Sequence, residues 1–508
     1  MEELIALVKL FKTMPGNAKA RLLRNGQDKL KVMYDFMENI NCGKFISDED
    51  ASKHYFNSTP KNTKYYSLKK RLRDKLLAWI LNSENPYLKY EELEYAIITL
   101  HRLSAQAGIL NSIGVYSSAN KININILKIA AKFNLTEFGE KAARNIRDFY
   151  ALRELNLSKF NSYNTLLEKL NAENTVEHLA DELYASFMVA FHSNKKNRSI
   201  LGNIVAKYIL RFEKLLLIND SEKIKQLISK INILALISEK EFQSALYKVS
   251  ANLVDLEKTP YQQNVLKNEL IQQKMVCYLN LKQFDEGKKV AEDLVFMHTT
   301  PSEITLENEE INFLLSLHSQ HYNEAAGVWL DVSNKGLLKN IHGIIREKWE
   351  TYKIYLYFLH STGEISIDFS KTIFKGFRQA KFFNTVPNLN KDKTGMNVSI
   401  LAIEYILYLT QGKFDKITDK YEAMFKYSYR YLRDDESLRS YNFIRLLLLI
   451  PNCAYNWKTI SERGEQMLRK ISSHPNIESS IKSGPEIIPY DVLWKLINKH
   501  TPNRNFKF

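Results

Sequence analysis

The amino-acid sequence predicts an all-α protein, and three observations carry that reading. Only 17 of the 508 residues are glycine and 11 are proline, whereas β-rich chains need such residues at a turn roughly every 8–12 positions. Long stretches run with neither, as between Gly202 and Pro260. Within them apolar residues return at i, i+3, i+4 and i+7, as at Leu227, Ile231, Leu234 and Leu236–Ile237, the period of a helix with one buried face. About two dozen helices of ordinary length would account for the chain.

Taken in order, residues 1–88 form an N-terminal helical unit. Ser47 stands before Asp48, Glu49 and Asp50, an N-cap followed by acids that suit the positive end of a helix dipole. A second, basic helix spans 64–80, with Tyr65, Leu68, Leu72, Leu76 and Trp79 on one face. Residues 89–230 carry further hairpins without a clear signature. Helix starts are expected there at Thr136, before Glu137 and Glu140, and at Asp220-Ser221, before Glu222. Residues 231–472 form the helical repeats. Pro475, Pro485 and Pro489 then break the period, so 473–508 is expected to be an irregular tail.

The repeats share a local pattern. It runs Tyr278-x5-Phe284-x2-Gly287-x3-Ala291, Tyr322-x2-Ala325-x3-Trp329, Tyr408-x3-Gly412-x-Phe414-x6-Tyr421 and, more weakly, Phe242-x2-Ala245-x3-Val249. An aromatic locks the turn between antiparallel helices, and a small residue three positions on lets the second helix approach closely. In the third case Ile417 replaces the small residue. The phrases YLNLKQFDEGKKVAEDL, HSQHYNEAAGVWL and YLTQGKFDKITDKYEAM resemble the tetratricopeptide helical hairpin over roughly 230–430, with 360–364 as the turn of a further hairpin. Spacings of about 40 rather than 34 residues mark the resemblance as degenerate. It implies a right-handed α-solenoid whose concave face takes another protein or a peptide.

Composition excludes other classes. A chain 45% apolar and 12% aromatic can bury a large core and is not disordered. The start lacks the basic region and cleavage site of a signal peptide, since Glu2 and Glu3 lead and Lys9 and Lys12 interrupt. No run of about 18 apolar residues spans a membrane; Leu76–Leu81 and Ile354–Leu359 are buried helix turns. Cys42, Cys277 and Cys453 lie far apart and are expected to be buried, reduced thiols. A soluble cytoplasmic protein with no membrane partner follows.

Catalytic signatures are absent: there is no P-loop, GxGxxG, HExxH or GxSxG. Asp392-Lys393-Thr394-Gly395 matches the phosphorylation motif of P-type pumps, but it follows the polar, proline-containing NTVPNLNK and not a buried strand. It is read as an inter-helix loop. His298, His318, His321 and His360 pair with no carboxylate at ligand spacing. Glu307, Glu309, Glu310 and the run at 434–436 sit at expected helix starts. No enzyme, cofactor or metal is expected.

Two clusters point to binding. Lys61, Lys64, Lys69, Lys70, Arg71, Arg73 and Lys75 stand against Asp74 alone, a local excess of six within the net +15. A short capped helix holding Ala51 precedes them, so 1–88 resembles a helix-turn-helix that would read DNA or RNA. The linker NSTPKNT is longer than the usual turn. The second cluster interleaves aromatics and arginines: Tyr427, Arg430, Tyr431, Arg433, Arg439, Tyr441 and Arg445, with Tyr421, Phe425, Tyr429 and Phe443. Tyrosine and arginine dominate binding hot spots. The expected function is a non-enzymatic protein–protein scaffold or adaptor, with Tyr427, Arg430, Tyr431, Arg433, Arg439, Tyr441 and Arg445 as the partner site. The alternative is a nucleic-acid-binding transcriptional regulator using helix 64–80, with the solenoid as sensor or dimer platform.

Overall fold

The computed structural model describes residues 1–13, 28–45, 47–82, 92–193, 198–294, 303–334, 337–340, 344–366, 374, 377–385, 395–433, 437–473 and 486–501. Residues 392–394, the acidic run 434–436, His298, Pro475, Pro485 and the tail beyond 501 lie outside them. So does most of the segment following the turn at 360–364. The described residues are helical, apart from one isolated parallel bridge between Glu92 and Gln262. The chain divides into two compact units. The first comprises 1–270 and 294–300, the second 271–293 and 301–508.

One turn geometry recurs in both units and explains the aromatic pattern. Lys240, Lys282, Gln320 and Gly412 adopt left-handed φ angles of 66°, 58°, 63° and 66°. The next residue then donates its N–H to the carbonyl five positions back: Glu241 to Leu236, Gln283 to Tyr278, His321 to Ser316 and Lys413 to Tyr408. Such a closure satisfies carbonyls that a helix end leaves open. The next helix starts one residue later, at Phe242, Phe284, Tyr322 and Phe414. Three positions on, Ala245, Ala325 and Ile417 are completely buried. Gly287 is buried so closely that a Cβ there would lie 2.8 Å from Leu315. Gly114 and Asn134 make the same closure before Tyr116 and Thr136. Thr136 is therefore the first helical residue and not a cap; Leu135 holds the cap position without a side-chain bond.

In the first unit, four helices pack as an N-terminal bundle: α1 (Glu2–Thr13), α2 (Asp28–Asn41), α3 (Asp48–Phe56) and α4 (Thr63–Asn82). Ser47 caps α3 by accepting the Asp50 N–H at 3.1 Å. Tyr65, Leu68, Leu72, Leu76 and Trp79 are all buried against Val8, Phe11, Phe36 and Ala51. Helices then follow one another in contact: α5 (Leu93–Ser112), α6 (Tyr116–Lys132), α7 (Thr136–Leu152), α8 (Leu157–Ser193), α9 (Arg198–Ile218), α10 (Glu222–Ser238) and α11 (Phe242–Glu257). Ser221 stands at the N-cap of α10, but its hydroxyl donates to Glu177 at 2.8 Å and does not close the helix. Helix α12 (Asn264–Asn280) begins in the first unit and ends in the second.

The second unit continues through α13 (Phe284–Glu292), α14 (Glu303–His318), α15 (Tyr322–Asn334), a 3-10 turn (Leu337–Asn340), α16 (Ile344–Ser361), α17 (Gln379–Thr385), α18 (Met396–Thr410), α19 (Phe414–Tyr431), α20 (Leu438–Asn452), α21 (Trp457–Ser473) and α22 (Tyr490–His500). One contiguous core joins α14 to α22, with Trp349, Tyr355, Tyr405, Phe443 and Tyr490 among its largest buried side chains. The expected irregular tail is corrected here. Helix α22 buries Leu493, Trp494 and Ile497, a helical spacing that the preceding prolines masked in the sequence. Cysteine burial is corrected too: Cys277 and Cys453 are buried, but Cys42 is exposed.

Candidate functional site

Helices α19 and α20 carry the aromatic–arginine cluster. Phe425, Tyr429 and Arg433 recur every four residues and are all exposed, forming one stripe along α19. The Arg433 guanidinium lies 4.1 Å from the Tyr429 ring centre, and Arg445 reaches over Phe425 from α20 at 5.0 Å. Cation–π contacts at such exposed sites contribute about 0.5–1 kcal/mol each, which biases the side chains toward this arrangement. Tyr427 and Tyr431, with ring centres 5.1 Å apart, lie on the other side of α19, and Arg430 covers Tyr431 at 5.3 Å. Tyr441 is half-buried against the core.

Arg439 is separate from this surface. Its side chain is largely buried and makes a two-pronged ion pair with Glu486, while its guanidinium also donates to the Ile471 carbonyl. Glu486 accepts the Tyr490 N–H at 2.7 Å as well, and the Tyr490 ring stacks on Phe443 at 4.2 Å. Arg439 therefore ties the start of α22 to α20 and α21, and it has little to offer a partner.

Between α18 and α19 lies a pocket of about 120 Å³ lined by Leu401, Glu404, Tyr405, Lys420, Ala423, Met424 and Tyr427. Lys420 donates to Glu404 at 2.7 Å and Tyr408 donates to the same carboxylate at 3.1 Å. The Tyr405 hydroxyl is buried without a hydrogen-bond partner among the described residues, and burial raises its pKa well above the ordinary value. The pocket has room for one side chain, whereas small-molecule sites are usually 300 Å³ or more, roughly. Of the sequence-derived residues only Tyr427 belongs to it. A signal for the rest was present: Glu404 is the lone charge in the apolar run 399–409.

The basic helix α4 uses part of its charge internally. Lys69 pairs with Asp48 at 2.7 Å, and Arg73 pairs with Glu3 at 2.8 Å. Burial opposes ionisation of Asp48, but hydrogen bonds from Lys69 and Tyr65 outweigh it and hold the carboxyl down to about 2. Lys64, Arg71 and Lys75 fall on the opposite flank at a spacing of seven and four, which aligns them along the helix. Lys61 and Lys70 are exposed beside them.

The other buried charges are structural in their geometry. Lys348 donates to both Glu310 oxygens at 2.9 Å and Tyr352 donates at 2.6 Å. Among the described residues no group of three or more His, Cys, Asp or Glu is gathered to hold a metal, and no helix is long and apolar enough to cross a membrane. Compared with known families, curated proteins and solved structures, the chain matches none.

Proposed function

We propose that the chain is a non-enzymatic protein–protein scaffold or adaptor, in which successive hairpins of each unit stack as a tetratricopeptide-like, right-handed α-solenoid. The exposed stripe of Phe425, Tyr429 and Arg433, buttressed by Arg445, carries this reading. Aromatic rings already held by arginines lose little freedom when a partner covers them, and such residues supply most interface energy. On the other side of α19, the side-chain-sized pocket beside Tyr427 suits an apolar anchor of a peptide or protein rather than a cofactor.

The test is affinity purification, with and without nuclease, of the wild-type chain and a Phe425→Ala/Tyr429→Ala/Arg433→Ala variant. A nuclease-resistant partner lost only by the variant, at unchanged helical circular dichroism, supports the reading. Equal capture by both chains overturns the site. A second reading, nucleic-acid binding through α4, rests on the alignment of Lys64, Arg71 and Lys75 with no ion pair among the described residues.

A further inference from the structure

Two neighbouring turns lie at one edge of the first unit, and the second departs from the closure seen elsewhere, since after the left-handed Leu155 the Asn156 N–H donates to Tyr150, six positions back. Helix α5 turns into α6 at 113–115, and α7 turns into α8 at 153–156. Since α5 to α8 pack in sequence through tight reversals, these two turns fall at the same end of the helices. A direct contact joins them: the Arg153 guanidinium lies 3.9 Å from the centre of the Tyr116 ring.

This edge is apolar. Ile109, Ile113, Val115, Leu152, Leu155 and Leu157 are each between 41% and 79% exposed. Several hairpins open their second helix with an aromatic that is buried or half-buried, as at Tyr322 and Phe242, although Thr136 opens α7. Leu157 holds that position here and points outward, 72% exposed. At Asn134, Lys240, Lys282, Gln320, Gly114 and Gly412 the left-handed residue is polar or glycine, and at the turn between α20 and α21 Ala454 and the buried Tyr455 take this conformation. Here the left-handed residue is Leu155, at φ 51° and 79% exposed. A leucine in that region is strained, and this one gains no burial within the chain to offset the strain.

We propose that this edge is the contact through which the chain associates with a second copy of itself. Six aliphatic residues, each 41–79% exposed, supply a large part of the roughly 800 Å² that each partner buries in a stable interface of standard size. The rim fits its own copy. Arg153 and Glu154 are adjacent and exposed, so a two-fold axis through the edge sets each Arg153 against the other copy's Glu154. Arg147 lies beside Asp148 and Lys159 beside Glu154, so the rim has balanced signs, unlike the single-sign surface that anionic lipid attracts. Because the chain as a whole carries +15, long-range repulsion opposes self-association, and added salt strengthens this contact by screening it.

The experiment is sedimentation velocity of the full chain over a concentration series at low and high salt. It compares wild type with Leu155→Gly and with Leu152→Asp/Leu155→Asp. Wild type is expected to form a dimer more readily at high salt. Leu155→Gly weakens the dimer about tenfold yet raises the melting temperature, because glycine accepts the left-handed backbone without strain. The double aspartate variant stays monomeric with wild-type helical circular dichroism. A wild-type chain that remains monomeric throughout overturns the proposal, as does a Leu155→Gly chain that melts higher but dimerises like wild type. Flotation with phosphatidylserine–phosphatidylcholine vesicles is run in parallel. Binding of a monomer, lost in the double variant, assigns the edge to a membrane surface and also overturns it.

Discussion

Lys348 holds its ammonium 2.9 Å from both carboxylate oxygens of Glu310, and both side chains are almost fully buried. Tyr352 adds a third hydrogen bond to the same carboxylate. Burial nevertheless raises the Glu310 pKa above its ordinary value, despite the lowering effect of Lys348 and Tyr352. Desolvation therefore outweighs attraction, which is the usual balance for a buried pair.

That balance predicts an asymmetric response to mutation. Lys348→Met strands a buried carboxylate and should destabilise the second unit by about 3–5 kcal/mol. Glu310→Leu combined with Lys348→Met should recover most of that loss, leaving chiefly the unpaired Tyr352 hydroxyl to cost about 1–3 kcal/mol. Urea denaturation of the single and double variants measures both. A double variant no more stable than Lys348→Met would show that the pair is a net stabiliser.

Glycine substitutions separate two kinds of close helix approach. At Gly287 a Cβ would meet Leu315 at 2.8 and 3.1 Å and Tyr278 at 3.3 Å, and Leu315 is completely buried. Gly287→Ala should therefore destabilise by about 1–3 kcal/mol, as overpacking does. Gly139 holds the corresponding place, three residues into α7, but a Cβ there would find only ordinary contacts at 3.7–3.8 Å. Gly139→Ala should instead stabilise by about 0.5–1 kcal/mol through the lower entropy of the unfolded chain. Thermal melts of the two variants should move in opposite directions.

This contrast shows what could be read from the sequence and what could not. The small residue after the turn was visible at Ala245, Gly287 and Ala325 because local packing repeats in sequence. The left-handed residue before the aromatic was not, because lysine at 240 and 282 and glutamine at 320 are not typical occupants of that conformation. The buried face of α4 was legible from its period alone, whereas the fate of its charges was not. Lys69 and Arg73 find Asp48 and Glu3 on segments whose approach depends on the tertiary fold. Arg439 illustrates the same limit. In sequence it is one more arginine among aromatics, and only the docking of α22 brings Glu486 to it.

His318 predicts a pH dependence confined to the second unit. Burial outweighs the favourable backbone contacts at Glu486 and Ile487 and pushes its pKa down to about 4 from 6.5. Between those values the unfolded chain binds a proton that the folded chain excludes. Stability is therefore full above about pH 6.5 and falls as the pH drops toward 4. Over that window the loss is about 3 kcal/mol. His318→Leu should flatten this part of the pH–stability curve, and denaturant titrations at pH 7, 5.5 and 4.5 would reveal it. A variant with the wild-type slope would assign the dependence to other groups.

The final prediction divides the basic helix into two functions. Lys69→Gln removes one partner of Asp48, whose carboxylate also accepts from Tyr65 and pairs with the Met1 ammonium, and should destabilise the N-terminal bundle by about 1 kcal/mol. The Asp48 carboxyl lies at about 2 when folded, below its ordinary 3.8. Its stabilising effect is therefore present above about pH 4 and lost as the pH falls toward 2, and the Lys69 variant should lose part of that dependence, since Tyr65 and the Met1 ammonium remain. Lys64, Arg71 and Lys75 make no ion pair among the described residues, so their joint replacement by glutamine should leave the melting temperature nearly unchanged. If α4 contacts duplex nucleic acid, each of the three releases counterions on binding. Their loss should then reduce the slope of log affinity against log salt by about 3, whereas Lys69→Gln should not change it. Electrophoretic shifts across a salt series read both slopes. A triple variant with the wild-type slope would leave α4 as a solvated face of the bundle and return the function to the stripe on α19.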